Sequence, residues 1–279
     1  MEKNNLMHIE QAVRRTIETF PFQSYMAEGK GAYYNIARTV QRYLEPGSAI
    51  LDFGSGPADK TAVLQYLGFN CSAYDDLQDD WHKLPGNRQK ILSFAEKCGI
   101  NFCLAGQGML PFSKNTFDMI MLNDVLEHLH DSPRDLLNDL LQFAKTDGLL
   151  FVTVPNAVNI RKRLDVLLGR TNLPRFECYY WYPGSWRGHI REYVKNDLVL
   201  LADYLSLEVL ELRGCDHMLF KVPRIIRPVY LFLTALFPGW KDSWLLVARK
   251  KQDWSVKKTL SQSELAAILG KSTSYDYTQ

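Results

Sequence analysis

From Ser48 onward the chain alternates short apolar runs with amphipathic stretches. The runs Ala49–Phe53, Asn70–Tyr74, Ile100–Leu104, Phe117–Leu122 and Gly148–Val154 have the length of strands. Between them the spacing predicts helices near Lys60–Leu67, Arg88–Cys98 and Pro133–Ala144. Ser132 suits the N-cap of the last, and Pro133 its first helical position. Strands separated by helices at this rhythm make βαβ units and a parallel sheet. Strands that are apolar almost without interruption are covered on both faces. Right-handed crossovers then place ligands at the carboxyl ends of the strands.

Outside that rhythm the pattern changes. Residues 8–45 read as two helical segments, broken near Pro21 and at Gly29-Lys30-Gly31. Residues 156–188 are rich in Arg, Tyr, Trp, Pro and Gly and read as a long insertion or lid. A helix (Lys195–Tyr204) and a strand (Leu207–Leu212) resume the pattern, a second insertion covers 215–241, and Ser243–Ala248 reads as a final strand. The expected organisation is an N-terminal helical segment (1–47), a main domain (48–250) carrying both insertions, and a polar tail (251–279) with one amphipathic stretch, Glu264–Leu269.

Composition narrows the function classes. An apolar fraction of 46% and a charged fraction of 23% are those of a soluble globular chain. A formal charge of +2 gives no concentrated basic face, so no nucleic-acid partner is expected. No apolar h-region opens the chain, so no signal peptide is expected. Cys71, Cys98, Cys103, Cys178 and Cys215 contain no C-x-x-C pair and read as reduced thiols of a cytoplasmic protein. The histidines include no H-E-x-x-H, and no metal site is expected.

The first strand runs into ILDFGSGPADK (Ile50–Lys60), a strand–glycine loop–helix sequence that lets backbone approach a ligand at a helix N-terminus. A dinucleotide fingerprint would need a third glycine where the chain has Asp59, an acid that would repel a pyrophosphate. This disfavours a nicotinamide-linked oxidoreductase, and no Walker loop is present. Asp52–Ala58 instead fits D-x-G-x-G-x-(G/A). In order after it come Asp75 in CSAYDD, LPFSKNTFDMIMLNDVLEHL (Leu110–Leu129), DGLLFVTVPN (Asp147–Asn156) and HIREYVKNDLVLLADYLSLEV (His189–Val209). With these motifs the chain resembles the class I S-adenosylmethionine-dependent methyltransferases over 48–155 and 189–250.

That resemblance implies a Rossmann-like, doubly wound, mostly parallel seven-stranded α/β sheet with an antiparallel last strand, and S-adenosyl-L-methionine as cofactor. It implies that Asp52, Gly54, Ser55 and Gly56 cradle the methionine end. Asp75, 23 residues after Asp52, and its neighbour Asp76 would take the ribose hydroxyls. The family often has an acid before LPF for adenine; here Gln107, Gly108 and Met109 would read it instead. Asn123 and Asp124 would contact cofactor or acceptor. His128, Asp124 and His189 are the catalytic candidates, with His128 matching the family histidine. Glu127 and His128 read equally well as a brace for the following helix, and His189 as the partner of a neighbouring carboxylate.

The exit NDVL lacks the prolines and aromatic of (N/D)-P-P-(aromatic), which disfavours amine acceptors on nucleic acids. The resembling subgroup implies O-methylation of a small molecule, sugar or lipid-linked acceptor, in ubiquinone-type, polysaccharide or natural-product pathways. The alternative is a non-catalytic cofactor-binding module with the same fold. Tyr179, Tyr180, Trp181, Tyr182 and Trp186 suggest a substrate lid. The segment 224–241, whose apolar run Val229–Phe237 is too short to span a bilayer, suits a membrane surface, the sheet or a dimer.

Overall fold

Each run predicted as a strand forms one in the computed structural model, which describes residues 2–28, 30–106 and 110–269. The strands are β1 (Ala49–Phe53), β2 (Asn70–Asp75), β3 (Asn101–Leu104), β4 (Phe117–Asn123), β5 (Ala144–Pro155), β6 (Leu207–Cys215) and β7 (Ser243–Lys250). They make one sheet in the order β3-β2-β1-β4-β5-β7-β6. Six strands run the same way, and β7 lies antiparallel between β5 and β6. β5 starts earlier than the pattern predicts, because Ala144 pairs with Phe117 across a register shift.

The helices are α1 (Glu2–Thr19), α2 (Gln23–Glu28), α3 (Lys30–Tyr43), α4 (Asp59–Tyr66), α5 (Asn87–Cys98), α6 (Pro133–Phe143), α7 (Ile160–Leu167), α8 (Phe176–Tyr180), α9 (Lys195–Tyr204), α10 (Arg227–Leu236) and α11 (Gln262–Leu269). The N-terminal stretch therefore holds three helices where two segments were expected, with the short α2 between the two breaks.

Alternate strand residues feed two cores. Ile50, Met119, Met121 and Phe151 pack with α1, α3, α4 and α5 on one face. Leu51, Ile120, Leu122 and Val152 pack with α6 and α9 on the other. This is why the strands read as nearly unbroken apolar runs. The crossovers change face between β1 and β4, and ligands of such sheets bind outside the carboxyl ends at that reversal.

Polar contacts fix the periphery. Ser132 Oγ accepts from the Arg134 N–H at 3.3 Å as the N-cap of α6. At the other end of α6, the Lys250 ammonium donates to the Leu141 and Ala144 carbonyls. The polar tail is pinned where Trp254 donates to the Leu205 carbonyl and the Lys257 backbone pairs with the Asn138 amide. Among the described residues, no helix is long and apolar enough to cross a membrane.

Asn156, at the exit of β5, is fully buried and donates to the carbonyls of Gly239 and Lys241 at 2.9 and 2.8 Å. Its Oδ1 accepts from the Val158 N–H, so one amide joins both insertions to the sheet. Asn156→Ala strands these groups and is expected to lower unfolding free energy by about 3 kcal/mol. Urea denaturation checks this, and a loss under roughly 1 kcal/mol would remove the clamp role.

Candidate active site

The loop after β1 is organised by a buried acid. Asp52 is 1% exposed; its carboxylate accepts from Thr61 Oγ1 of α4 at 2.6 Å and from Asn123 Nδ2 of β4 at 3.3 Å. Burial pushes its pKa up to about 6, against the hydrogen bond from Thr61. Gly54 has φ +70°, and a Cβ there would fall 2.5 Å from a Val125 methyl. Gly56 has φ +55° and donates its N–H to Asp75 Oδ2 at 2.8 Å. The Leu77 N–H fills Asp75 Oδ1 at 2.7 Å, which leaves one lone pair on each oxygen. Ser55 Oγ is buried with no partner in the protein.

Behind the loop, the start of α4 carries a charge cluster. Lys60 Nζ donates to Asp124 Oδ2 at 2.9 Å, and Thr153 Oγ1 donates to Asp124 Oδ1 at 3.2 Å. Burial opposes the Lys60 ammonium, but the Asp124 and Asp59 carboxylates outweigh it and hold its pKa above the ordinary lysine value. Burial likewise opposes the Asp124 carboxylate, and Lys60 reverses the balance and keeps its pKa low. Asp124 has φ +57°, a costly conformation for a residue with a Cβ. Asp59, buried at the start of α4, accepts from the Tyr33 hydroxyl of α3. The acid that excludes a third glycine thus serves the N-terminal helices.

A cleft of about 860 Å³ opens above these groups. It is lined by Asp52, Gly54, Ser55, Gly56, Asp75, Asp76, Asn123, Asp124 and His128, which the fold brings together. Residues Tyr182–Arg187 of the first insertion form its opposite wall. Arg187 closes that wall, donating to Asp76 and to Asp79 Oδ1 at 3.2 and 3.1 Å. His189 does not line the cleft, but its ring meets the His128 ring edge-on at 5.0 Å. Gln107, Gly108 and Met109 lie outside the described residues.

His128 Nδ1 lies 2.8 Å from the Arg187 carbonyl oxygen, an acceptor only. Nδ1 therefore carries the proton and, in the neutral ring, Nε2 keeps its lone pair. Next to it Glu127 is fully buried, and neither carboxylate oxygen has a partner in the protein. Burial, and then the Asp124 charge, raise its pKa well above the usual carboxylate range. Sequence reading missed Tyr25, which also lines the cleft, as well as Tyr33, Lys60 and Arg187. Lys60 follows the glycine motif directly and was within reach of it, whereas Tyr25, Tyr33 and Arg187 carry no local signal.

A methyltransferase-domain family model matches residues 23–212. The chain belongs to the methyltransferase-domain family. Sheet order and family together make it a class I S-adenosylmethionine-dependent methyltransferase, with S-adenosylmethionine as its cofactor. It is 32% identical over 117 residues to the demethylmenaquinone methyltransferase of Corynebacterium glutamicum, covering 41% of this chain and 45% of that one. The chain thus spans less than half the length of the curated relatives it matches.

Among solved structures it is similar to a Haloferax volcanii methyltransferase in complex with a methyltransferase activator (TM-score 0.55, 13% identity, 84% of this chain and 97% of that one). A Methanosarcina mazei S-adenosylmethionine-dependent methyltransferase gives 0.52 at 15% identity, covering 76% and 97%. The Haemonchus contortus phosphoethanolamine N-methyltransferase 2, solved with S-adenosylmethionine, gives 0.50 at 16%, covering 85% and 57%. The cleft of this methyltransferase fits its cofactor on two counts. The Ser55 hydroxyl is unpartnered, and Asp75 keeps two lone pairs.

The raised Asp52 pKa has a testable consequence. Folding tightens its proton, so its contribution is complete below the ordinary carboxylate pKa and fades as pH rises through about 6. From about pH 4 to about pH 7, Asp52→Asn is expected to lose less stability than wild type, by up to about 3 kcal/mol. Parallel stability curves for the two proteins would refute that assignment.

Proposed function

We propose that this methyltransferase transfers the methyl group to a hydroxyl oxygen of a lipid-linked or glycan acceptor at a membrane surface, from the cytoplasmic side. The observation that carries this reading is an inverted helix. In α10 the inward residues are Tyr230 and Thr234, while Val229, Leu231, Phe232 and Leu236 are exposed. Ile225, before the helix, is 89% exposed. Patches of this kind on a soluble fold mark a binding surface.

The first insertion extends the surface. Leu164, Leu167 and Leu168 at α7, and Phe176, Tyr180 and Trp181 at α8, are also exposed. The two insertions are joined through Asn156, and Arg161 of α7 lies close enough to Tyr230 for its charge to oppose the rise in that hydroxyl's pKa that burial causes. Residues 221–241 contain two lysines, two arginines and no acid. An apolar helix face with Arg224 and Arg227 at its N-terminal end suits an interface with anionic lipid. Both insertions leave the carboxyl ends of strands, the end at which the cofactor cleft opens.

In this reading Asp52 shapes the loop through Thr61 and Asn123, and the loop N–H groups and Ser55 receive the methionine end. Asp75 takes the ribose hydroxyls, with Asp76 held beside it by Arg187. When bound, S-adenosylmethionine supplies a methyl group on a sulfonium that is already a good leaving group. The protein's part is to align acceptor and cofactor and keep water out, worth about 7–11 kcal/mol. His128, with Asp124 below it and His189 beside it, handles the acceptor oxygen through the Nε2 lone pair. Tyr182 and Trp186, packed edge-to-face at 5.1 Å, cover the acceptor.

Asp75→Ala is expected to weaken S-adenosylhomocysteine binding by roughly tenfold or more, read by titration calorimetry; unchanged affinity would overturn the ribose assignment. The whole protein is expected to float with anionic phospholipid vesicles in a density gradient, and Val229→Asp with Phe232→Asp to abolish this while cofactor affinity holds. Wild-type protein remaining at the bottom of the gradient would remove the membrane acceptor.

A further inference from the structure

We propose that Glu127, His128 and His189 form a site for a divalent cation of the zinc class. One carboxylate oxygen and one ring nitrogen from each histidine lie within 4.8 Å of one another. Two imidazoles and a carboxylate are a recurrent donor set for zinc, with further positions left for other ligands. Bonds of this type set donor atoms about 3.3 Å apart, so side-chain rotations of roughly 1 Å would close the site.

Three observations point to a ligand here. The Glu127 carboxylate is fully buried with neither oxygen partnered in the protein. Protonation does not resolve that, since an O–H and a C=O would still lack partners. A cation at the histidines supplies the missing partner. Second, each histidine is already oriented from behind: His128 Nδ1 donates to the Arg187 carbonyl, and His189 Nδ1 sits 2.7 Å from Glu192 Oε1. Metal-binding histidines are held this way, through the nitrogen that does not ligate. Glu192 is fixed in turn by an ion pair with Lys162.

Third, the backbone joins the two halves independently of any cation. The Glu127 carbonyl accepts from the Ile190 N–H, and the Tyr193 hydroxyl donates to the Leu126 carbonyl. The chain after β4 and the chain before α9 are therefore set side by side. With side-chain exposures of 40% for His128 and 30% for His189, and His128 on the cleft wall, the site is reachable from the cleft. Resting on the reading of an oxygen acceptor, a cation here would bind that oxygen and lower its pKa; the acceptor's proton would be lost to solvent before the methyl group is transferred, and Nε2 of His128 would serve as a ligand instead of taking that proton.

The test uses full-length protein stripped with a chelator. Zinc chloride is titrated against a chromophoric chelator, and cobalt chloride is followed by its visible spectrum. One equivalent should bind, with a cobalt spectrum of nitrogen and oxygen donors and no thiolate charge-transfer band. Glu127→Gln and His189→Ala should each abolish that equivalent, and Glu192→Ala should weaken it about 10–100-fold, all with S-adenosylhomocysteine affinity retained. Substoichiometric binding, a thiolate band, or wild-type affinity in Glu127→Gln and His189→Ala overturns the site. Stoichiometric binding with unchanged methyl transfer after chelation overturns the cation's use in the reaction. Because metal binding is read without an acceptor, failure of the acceptor assignment leaves this result intact.

Discussion

One buried carboxylate ties together the elements that diverge at the centre of the sheet. Asp52, one residue before the end of β1, accepts from Thr61 near the start of α4 and from Asn123 at the end of β4. These are the elements on either side of the point where the crossovers change face, where backbone must splay apart and leave a cleft. That acid gives the glycine loop, α4 and β4 a shared polar contact, beside the Lys60–Asp124 pair. Its cost is visible in the raised pKa: a charge in this place is tolerated only because neighbouring donors face it.

Around this anchor the site distributes charge in pairs. Lys60 answers Asp124, Tyr33 answers Asp59, and Arg187 answers Asp76 and Asp79. The Arg187 contacts matter most for the shape of the cleft. They cross from the first insertion to the loop after β2, so the insertion is held against that loop by partly exposed ion pairs that can open at modest cost. Glu127 stands apart from these pairs, buried and unanswered, and for that reason draws attention to the two histidines beside it.

The insertions follow a different logic from the sheet. Within the core, apolar side chains turn inward and strand residues divide between two faces. On α10 the polar Tyr230 and Thr234 turn in, with the Tyr230 hydroxyl donating to Asp216, and the apolar residues turn out. Its exposed apolar residues, with those of the first insertion, are the surface on which the proposed membrane contact rests.

Strand and helix positions were legible in the sequence because both faces of a parallel sheet are covered, so each strand is a local apolar run. The glycine loop was legible because a strand–turn–helix crossing a ligand needs particular residues at short spacing, whereas Asp75 entered through the family resemblance. The adenine side rested on Gln107, Gly108 and Met109, outside the described residues. Local pattern alone thus determined the strands and the helices between them, and the ordered motifs carried the family resemblance that implied the cofactor. Tertiary structure decided the rest: the tyrosines from α2 and α3, the Arg187 closure, the facing of His128 and His189, and the outward face of α10. Each depends on groups far apart in the chain, and periodicity reports which residues are apolar without saying which way a peripheral helix is turned.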